Sequence, residues 1–268
     1  MRSPLLTLVA GPPGSGKTAW ICQQLKTAGK PAAYLNLGAG TMQLDATYLA
    51  AEVPDLSLWD EADFMNLGSA DLAQPLYVEL AFQIDPSALS LPGVRAVRRV
   101  AVLPPGAIQT EWHDWAEEVV AGADGLSRVE AQSFDLWRSP LTKQVLDPAS
   151  LDTFWFELTH GAYGTVLRAK GIFDVADGRA FHFSFVNRAA VISATPIEPP
   201  LPLGNPPDTD YTELNLPRWL EGRPDRFSGI EVLGTGLDRA ALAQTLKDCC
   251  LDDQAIAYYQ QQLKNSLA

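Results

Sequence analysis

The chain has 268 residues, of which 47% are hydrophobic, and it carries a formal net charge of −12. This length and apolar content can fill one large core or two modest ones, so we expect an ordinary folded protein. The acidic balance argues against a general nucleic-acid binder, because neutralising a phosphate backbone needs clustered Lys and Arg.

The cysteine content and the start of the chain bear on its compartment. Cys22, Cys249 and Cys250 form neither an even framework nor a CxxC pair, which favours a reducing compartment. Only six largely apolar residues, 5–10, precede the first glycine loop, fewer than a secretory signal or a membrane span needs. We therefore expect a cytoplasmic protein with no membrane partner and no nucleic-acid partner.

The opening of the chain predicts a βαβ unit. Residues 5–10 form an apolar, partly β-branched run that stops at Gly11, as a buried strand entering a turn does. A helix is predicted over residues 17–28 and a second strand over residues 31–37. Further strands are predicted at residues 76–80 and 97–103, and an amphipathic helix at residues 112–120. This order is typical of a parallel sheet covered by helices.

The pattern of predicted helices and strands changes near residue 147. A short helix to about residue 160 is followed by predicted strands at residues 165–175, 180–187, 189–194 and 230–233. Residues 196–207 hold six prolines and predict an extended loop. Helices at residues 237–250 and 253–263 close the chain. We therefore predict an α/β parallel-sheet, nucleotide-binding domain over residues 1–143 and a smaller α+β domain over residues 147–268.

Residues 11–18 match the phosphate-loop pattern G-x-x-x-x-G-K-[ST], with a predicted strand before them and a helix after. Backbone amides of such a loop point at phosphate oxygens, its Lys reaches the β- and γ-phosphates, and its Thr hydroxyl binds Mg²⁺. The pattern predicts a bound nucleoside triphosphate, GTP or ATP, with Mg²⁺. The residues expected to hold it are Gly11, Gly14, Ser15, Gly16, Lys17 and Thr18.

Hydrolysis also needs a carboxylate near the metal. Glu79 ends an apolar strand, and its position fits a metal-shell ligand as well as a solvated boundary residue. Asp45 follows a glycine-containing segment and fits a mobile loop closing over phosphates, although a turn-forming Asp is the simpler interpretation.

Motifs of the second half resemble those of CobW-type GTP-binding proteins, a metallochaperone-like family with a phosphate loop. The run from Tyr163 to Phe173 contains Arg-Ala-Lys-Gly, similar to the "RAKG" strand of that family's C-terminal domain, and residues 236–251 are similar to its closing "LDR..L" helix. The resemblance implies that Asp45 lies in the family's "NEFG...ID" switch segment. It also implies that Glu79 begins its "E(S/T)(S/T)G..DP" segment, so both become candidate Mg²⁺ ligands, and Glu79 and Lys17 candidate catalytic residues.

The chain departs from the family pattern at several positions. Leu37 stands where the family has the switch glutamate, and residues 80–82 replace the hydroxyl and glycine residues after Glu79. The metal-binding CxCC motif is missing, since residues 36–79 contain no cysteine, so soft-metal transfer by thiolates there is excluded. The guanine-reading N-K-x-D is also missing as written, and Asp135 in residues 132–135 is the candidate remnant that would accept from the base.

Three functions compete on this evidence. One is a GTP- and Mg²⁺-dependent switch with slow or no hydrolysis, whose partner, by the resemblance, is a metal-dependent client protein. Another is a non-hydrolysing nucleotide-binding interaction module without metal transfer, favoured by the altered residues after Glu79. A small-molecule kinase draws only on the phosphate loop.

Overall fold

The computed structural model describes residues 6–65, 67, 72–89, 97–123, 134–187 and 209–267. The chain divides into two compact units, Met1–Glu130 and Ala131–Ala268. No helix in these described ranges is both long and apolar enough to cross a membrane.

The first unit is a parallel α/β sheet. Its six strands lie in the order β3-β2-β4-β1-β5-β6, and every neighbouring pair is parallel. The strands are β1 (Leu6–Ala10), β2 (Ala33–Leu37), β3 (Ser57–Leu58), β4 (Leu76–Leu80), β5 (Val97–Leu103) and β6 (Glu118–Ala121). The helices are α1 (Lys17–Ala28), α2 (Leu44–Glu52), α3 (Glu61–Met65) and α4 (Glu111–Trp115), with a 3₁₀ turn at Pro86–Ala88.

Both faces of this sheet are apolar, as parallel sheets covered on two sides require. Within β1, Leu6, Leu8 and Ala10 enter one buried cluster while Val9 enters another on the opposite face. The alternation follows from the two-residue period of a strand. The α/β prediction is confirmed, and the predicted strands at residues 5–10, 31–37, 76–80 and 97–103 correspond to β1, β2, β4 and β5.

One predicted element of the first unit is wrong. The helix expected over residues 112–120 ends at Trp115, and Glu118–Ala121 is instead the edge strand β6, paired with β5 from Val100 to Leu103. Val119 and Val120 favour a strand, and pairing with an existing strand outweighs the helical spacing of the preceding residues.

The second unit is an antiparallel sheet with helices. Its strands lie in the order β10-β9-β8-β11-β7, and every neighbouring pair is antiparallel. The strands are β7 (Asp135–Pro140), β8 (Thr165–Asp174), β9 (Ala180–Val186), β10 (Thr209–Glu213) and β11 (Gly229–Thr235). The helices are α5 (Pro148–Thr159), α6 (Arg239–Asp248) and α7 (Asp253–Leu267).

A single apolar core joins α5, α6 and one face of this sheet, and Phe154, Phe173, Ile230 and Leu242 at its centre are fully buried. The predicted α+β character is therefore confirmed. β7 pairs with β11, so residues 135–140, which the sequence assigned to the first domain, belong to the second sheet. The predicted strand at residues 189–194 and the proline-rich loop at residues 196–207 lie outside the described residues.

Candidate functional site

The phosphate loop, residues 11–18, joins β1 to α1 in a backbone conformation that only glycine adopts easily. Gly14 and Gly16 have φ of 77° and 92°, and Gly11 has φ of 148°. A Cβ on Gly11 would lie 2.2 Å from the carbonyl oxygen of Val102 on the neighbouring strand β5. The motif therefore needs glycine for two reasons: the turn takes positive φ values, and the backbone of β5 approaches too closely for a side chain at Gly11.

Ser15 stands at the centre of this loop with an unmet hydrogen bond. It is fully buried, its Oγ has no hydrogen-bond partner, and its carbonyl accepts from the amide of Ala123 at 2.9 Å. A buried hydroxyl without a partner is costly. A phosphate oxygen in the loop is the kind of acceptor that would satisfy it.

Lys17, the predicted phosphate-binding cation, is buried within the loop. Its Nζ donates to the carbonyl oxygens of Gly11 at 2.9 Å and Pro12 at 3.2 Å. These two bonds hold the ammonium group beside the arch of the loop.

Thr18 brings together the two predicted carboxylates. Its Oγ1 lies 3.0 Å from Asp45 Oδ1, 3.1 Å from Glu79 Oε1 and 3.0 Å from Glu79 Oε2. All three side chains are buried, with relative exposures of 8%, 9% and 4%. Asp45 and Glu79 are 34 residues apart in sequence (79 minus 45) and meet at one hydroxyl group.

The fold explains why these groups converge. Glu79 is the fourth residue of β4 and pairs with Val9 of β1, one residue before the end of the strand that enters the phosphate loop. Asp45 and Thr18 lie in the first turns of α2 and α1. All of these positions sit at the carboxyl ends of adjacent parallel strands, where ligands of open α/β sheets bind.

Two residues of β2, which the sequence analysis did not single out as ligand-site residues, contact the carboxylates. The Tyr34 hydroxyl donates to Glu79 Oε2 at 2.9 Å, and Asn36 Nδ2 donates to Asp45 Oδ2 at 3.0 Å. Asn36 Oδ1 is buried without a hydrogen-bond partner. Burial, and then the nearby charges of Glu79 and Asp45, raise the pKa of Tyr34 well above its usual value, so this phenol remains a donor.

The donor set fits Mg²⁺. A threonine hydroxyl has one hydrogen, so it cannot donate to three carboxylate oxygens at once, and the remaining contacts place oxygens of like charge together. Mg²⁺ is bound through one or two carboxylates, substrate phosphates and several waters. Asn36 Oδ1 is an acceptor that a metal-bound water would satisfy. Residues that would hold the ion are Thr18, Asp45 and Glu79.

The segment between Asn36 and Asp45 is tied to the segment after Glu79. Gly38 donates its N–H to Glu61 at 2.9 Å and accepts from the Gln83 amide at 2.7 Å. The Ala81 amide donates to the Leu37 carbonyl oxygen at 2.9 Å. Gln83 was missed by the sequence analysis because a polar residue after a strand carries no distinguishing pattern.

Asp135, the candidate base reader, lies in the second unit as the first residue of β7. Its carboxylate accepts from the Leu237 amide at 3.2 Å and from Arg239 at 3.3 Å. The Leu237 amide is the main cause that lowers the pKa of Asp135, and Arg239 adds to it. The described contacts of this carboxylate therefore hold the start of α6, and its role toward a base stays a prediction.

The cysteines and histidines form no metal cluster. Within the described ranges, no three or more His, Cys, Asp or Glu residues are grouped to hold a metal ion. Cys22 and Cys249 are buried, and burial raises the pKa of Cys249 to about 11. A thiol that stays protonated at neutral pH is a poor metal ligand.

Crowding of Glu79 and Asp45 leads to a first prediction, on metal-free protein. Glu79→Gln removes one of two neighbouring buried charges and adds an amide donor beside Asp45, so we expect the melting temperature in EDTA to rise by a few degrees. Thermal unfolding followed by circular dichroism measures the change. Glu52→Gln is the control, because it removes the same charge outside the site, where Glu52 pairs with Lys26 at 2.7 Å, and its variant should gain no stability. A lower melting temperature for Glu79→Gln would contradict the repulsion.

Comparison with known proteins bears on the second unit directly. The family model "Cobalamin synthesis protein cobW C-terminal domain" matches residues 141–250. No curated protein matches the chain. The matched residues begin directly after β7 and end just after α6, and they contain the run from Tyr163 to Phe173 and all but the last residue of the second motif, residues 236–251.

Two solved structures have a low similarity to this chain. The zinc(II)-bound YjiA GTPase from E. coli is 12% identical and covers 93% of this chain and 99% of its own, with a TM-score of 0.30. A zinc(II)-bound triple mutant of YjiA GTPase is 12% identical and covers 92% and 99%, with a TM-score of 0.32. By the domain match, residues 141–250 form a C-terminal domain of CobW type, as the motifs of the second half predicted.

Proposed function

We propose that the chain binds GTP with Mg²⁺ in the cytoplasm and acts as a slow nucleotide switch for a protein client. The single observation that carries the proposal is the meeting of Asp45 and Glu79 at the Thr18 hydroxyl group, with distances of 3.0 to 3.1 Å. This arrangement gathers two carboxylates and a hydroxyl group at one point, next to a loop built for phosphates. A divalent cation held between such oxygens and a triphosphate is the ligand that this combination of groups binds in proteins with a phosphate loop.

Each residue has a stated task in the bound state. Backbone amides of residues 11–18 and the Ser15 hydroxyl donate to phosphate oxygens. Lys17, buried beside the arch, exchanges carbonyl acceptors for charged phosphate oxygens, which are the stronger partners. Thr18, Asp45 and Glu79 hold Mg²⁺ directly or through its waters. Guanine selection by Asp135 is part of the proposal through the family resemblance alone.

Asp45 and Gly38 connect the proposed metal site to a loop that would change its conformation. Asp45 begins α2, and the loop before it is held through Gly38 by Glu61 and Gln83. A metal drawn toward Asp45 Oδ1 therefore acts on a loop with defined hydrogen bonds, and loss of the γ-phosphate releases it. The client would recognise this loop in its nucleotide-bound position.

A specific observation favours the alternative of a binding module without hydrolysis. The Ala81 amide already bonds the Leu37 carbonyl oxygen, and Gln83 already bonds Gly38. The Ala81 amide is thus occupied in extending the sheet and the Gln83 side chain in holding Gly38, whereas hydrolysis needs a group there to orient an attacking water. Metal transfer by thiolates has no support, since no cysteine lies between Asn36 and Glu79.

Lys17→Ala tests nucleotide binding. Loss of the buried ammonium group removes its charge-assisted bonds to phosphate, so we expect the Kd for GTP with Mg²⁺ to rise by roughly a hundredfold. Isothermal titration calorimetry measures it, and Lys30→Ala, a loss of charge at an exposed position just after α1, is the control. An unmutated chain that binds neither GTP nor ATP would reject the proposal.

Competition between GTP and ATP tests base selection. We expect the unmutated chain to prefer GTP, and Asp135→Asn to reduce that preference about tenfold, because a carboxylate accepts better than an amide from the guanine donors. Displacement of a fluorescent GTP analogue measures the ratio. Arg239→Ala is the control, since it removes a partner of Asp135 without changing the carboxylate. Equal loss of preference in both variants would assign the effect to the local structure of β7 and α6.

Phosphate release separates the switch from the module. With the backbone after Glu79 engaged, we expect a turnover of about 10⁻³ s⁻¹ or less, comparable with unassisted small GTPases. Single-turnover hydrolysis of radiolabelled GTP measures the rate, and Glu79→Gln shows whether any residual rate depends on this site. A fast rate that Glu79→Gln abolishes would overturn the module alternative.

A further inference from the structure

The short segment that follows the edge strand β6 is hydrogen-bonded to the phosphate loop. The Gly122 amide donates to the Leu103 carbonyl oxygen at 2.7 Å, which holds the segment at the carboxyl end of β5. The next amide, that of Ala123, donates to the Ser15 carbonyl oxygen at 2.9 Å. The loop is therefore fixed to the end of β6 as well as to β1 and α1, between which it lies.

Gly122 has no room for a side chain at this contact. A Cβ on Gly122 would lie 2.0 Å from the Ser15 carbonyl oxygen and 2.6 Å from Val102 Cγ1. Both distances are far shorter than ordinary van der Waals contact. The φ of Gly122 is not positive, so the close approach, rather than the backbone conformation, requires glycine here.

Strand β5 limits the space around this contact through Val102. The Val102 carbonyl oxygen would lie 2.2 Å from a Cβ on Gly11, the first residue of the loop, and Val102 Cγ1 approaches Gly122. Val102 is fully buried and pairs with Val120 of β6. Because protein interiors are close-packed, an added methyl group at either glycine has to push the loop and these strands apart.

The bond from Ala123 sets the direction of the peptide group between Ser15 and Gly16. This peptide bond is trans, so its C=O and N–H groups point to opposite sides. Since the Ser15 carbonyl group is turned toward Ala123, the Gly16 N–H points away from the end of β6. Among the described residues, the Gly16 N–H donates to no acceptor. We assign this N–H to a phosphate oxygen.

We propose that Gly122 and Ala123 are positioning residues for phosphate binding. Ala123 holds the Ser15 carbonyl group, which aims the Gly16 N–H at the phosphate, and Gly122 permits the approach that this bond needs. The inference rests on the proposed function, because it concerns the same nucleotide. It extends phosphate binding to a segment outside the loop of residues 11–18.

Gly122→Ala tests the proposal because it adds one methyl group between Ser15 and Val102. The methyl group moves the segment away from the loop, so the Ser15 peptide group loses its anchor. We expect the Kd for tripolyphosphate with Mg²⁺ and the Kd for GTP with Mg²⁺ to rise by the same factor, roughly tenfold, as for the loss of one charge-assisted hydrogen bond. Isothermal titration calorimetry measures both values, and tripolyphosphate reports on the phosphates without a base.

Gly29→Ala is the matched control. Gly29 follows α1 at its end opposite the phosphate loop, has φ of 55°, and a Cβ there would meet nothing within 4 Å. Its alanine variant strains the backbone without contacting the loop, so we expect the melting temperature to fall by a few degrees. Both Kd values should stay unchanged, which separates a loss of stability from a loss of positioning.

Ala123→Pro tests the same bond without adding a side chain at Gly122. Proline has no backbone N–H, so the Ser15 carbonyl group loses its donor. We expect the same rise in both Kd values, with the melting temperature of each ligand-free variant measured alongside. This variant decides the question if Gly122→Ala does not fold.

The outcomes separate this inference from the proposed function. Unchanged Kd values in the folded variants, with Mg²⁺-dependent binding by the unmutated chain, would overturn the positioning role and leave the proposed function standing. Weaker binding of GTP with unchanged binding of tripolyphosphate would also overturn it, since the effect would then lie at the base. An unmutated chain that binds neither ligand would overturn both.

Discussion

One hydroxyl hydrogen facing three carboxylate oxygens is the constraint on which the site depends. Thr18 Oγ1 lies within 3.1 Å of Asp45 Oδ1 and of both oxygens of Glu79. The carboxylates of Asp45 and Glu79 are buried close to the same hydroxyl group, and they repel each other because charges in the protein interior are poorly screened. Tyr34 donates a hydrogen bond to Glu79, and Asn36 donates one to Asp45. A cation that binds only the folded chain would add to its stability, so under the proposed function the stability of the site depends on its ligand.

Strand order, rather than the phosphate loop alone, creates the constraint. β4 lies between β1 and β2, so the ends of three adjacent strands deliver the loop, Glu79 and Asn36 to one edge. Strand β2 contributes in two ways. Its Tyr34 and Asn36 side chains donate to the two carboxylates, and the strand leads into the segment that carries Gly38 and Asp45. A glycine loop between any strand and helix would cradle phosphate. The half of the site that we propose for the metal needs this particular set of neighbouring strands.

The sequence predicted the parts of the fold and site that depend on local pattern. The glycine spacing of residues 11–18 predicts their conformation, and Glu79 stands out in the sequence as a charged residue at the end of an apolar strand. Tyr34 was not visible as a site residue, because a tyrosine in a buried strand has the same pattern whether its hydroxyl meets a carboxylate or water. β6 was mistaken for helix because its pairing with β5 is a tertiary contact. The bond from Asp135 to Leu237 spans 102 residues and exists only through the pairing of β7 with β11, which no local pattern encodes.

Under the proposed function, the hydrogen bonds around Gly38 determine how easily the loop before Asp45 can change its conformation. Gly38 donates to Glu61 and accepts from Gln83, and Ala81 donates to Leu37, which makes three bonds among the described residues. At about 0.5–1.5 kcal/mol each, they hold the loop by roughly 3 kcal/mol. Coupling free energies in allosteric proteins are about 1–3 kcal/mol. Bonds of this total strength are of the size that ligand binding can offset, as the proposed switch requires of this loop. Leu37, which stands where the resemblance places a glutamate, adds no charge to the loop, so under the proposed function the control lies with Asp45 and with Asn36, which donates to it.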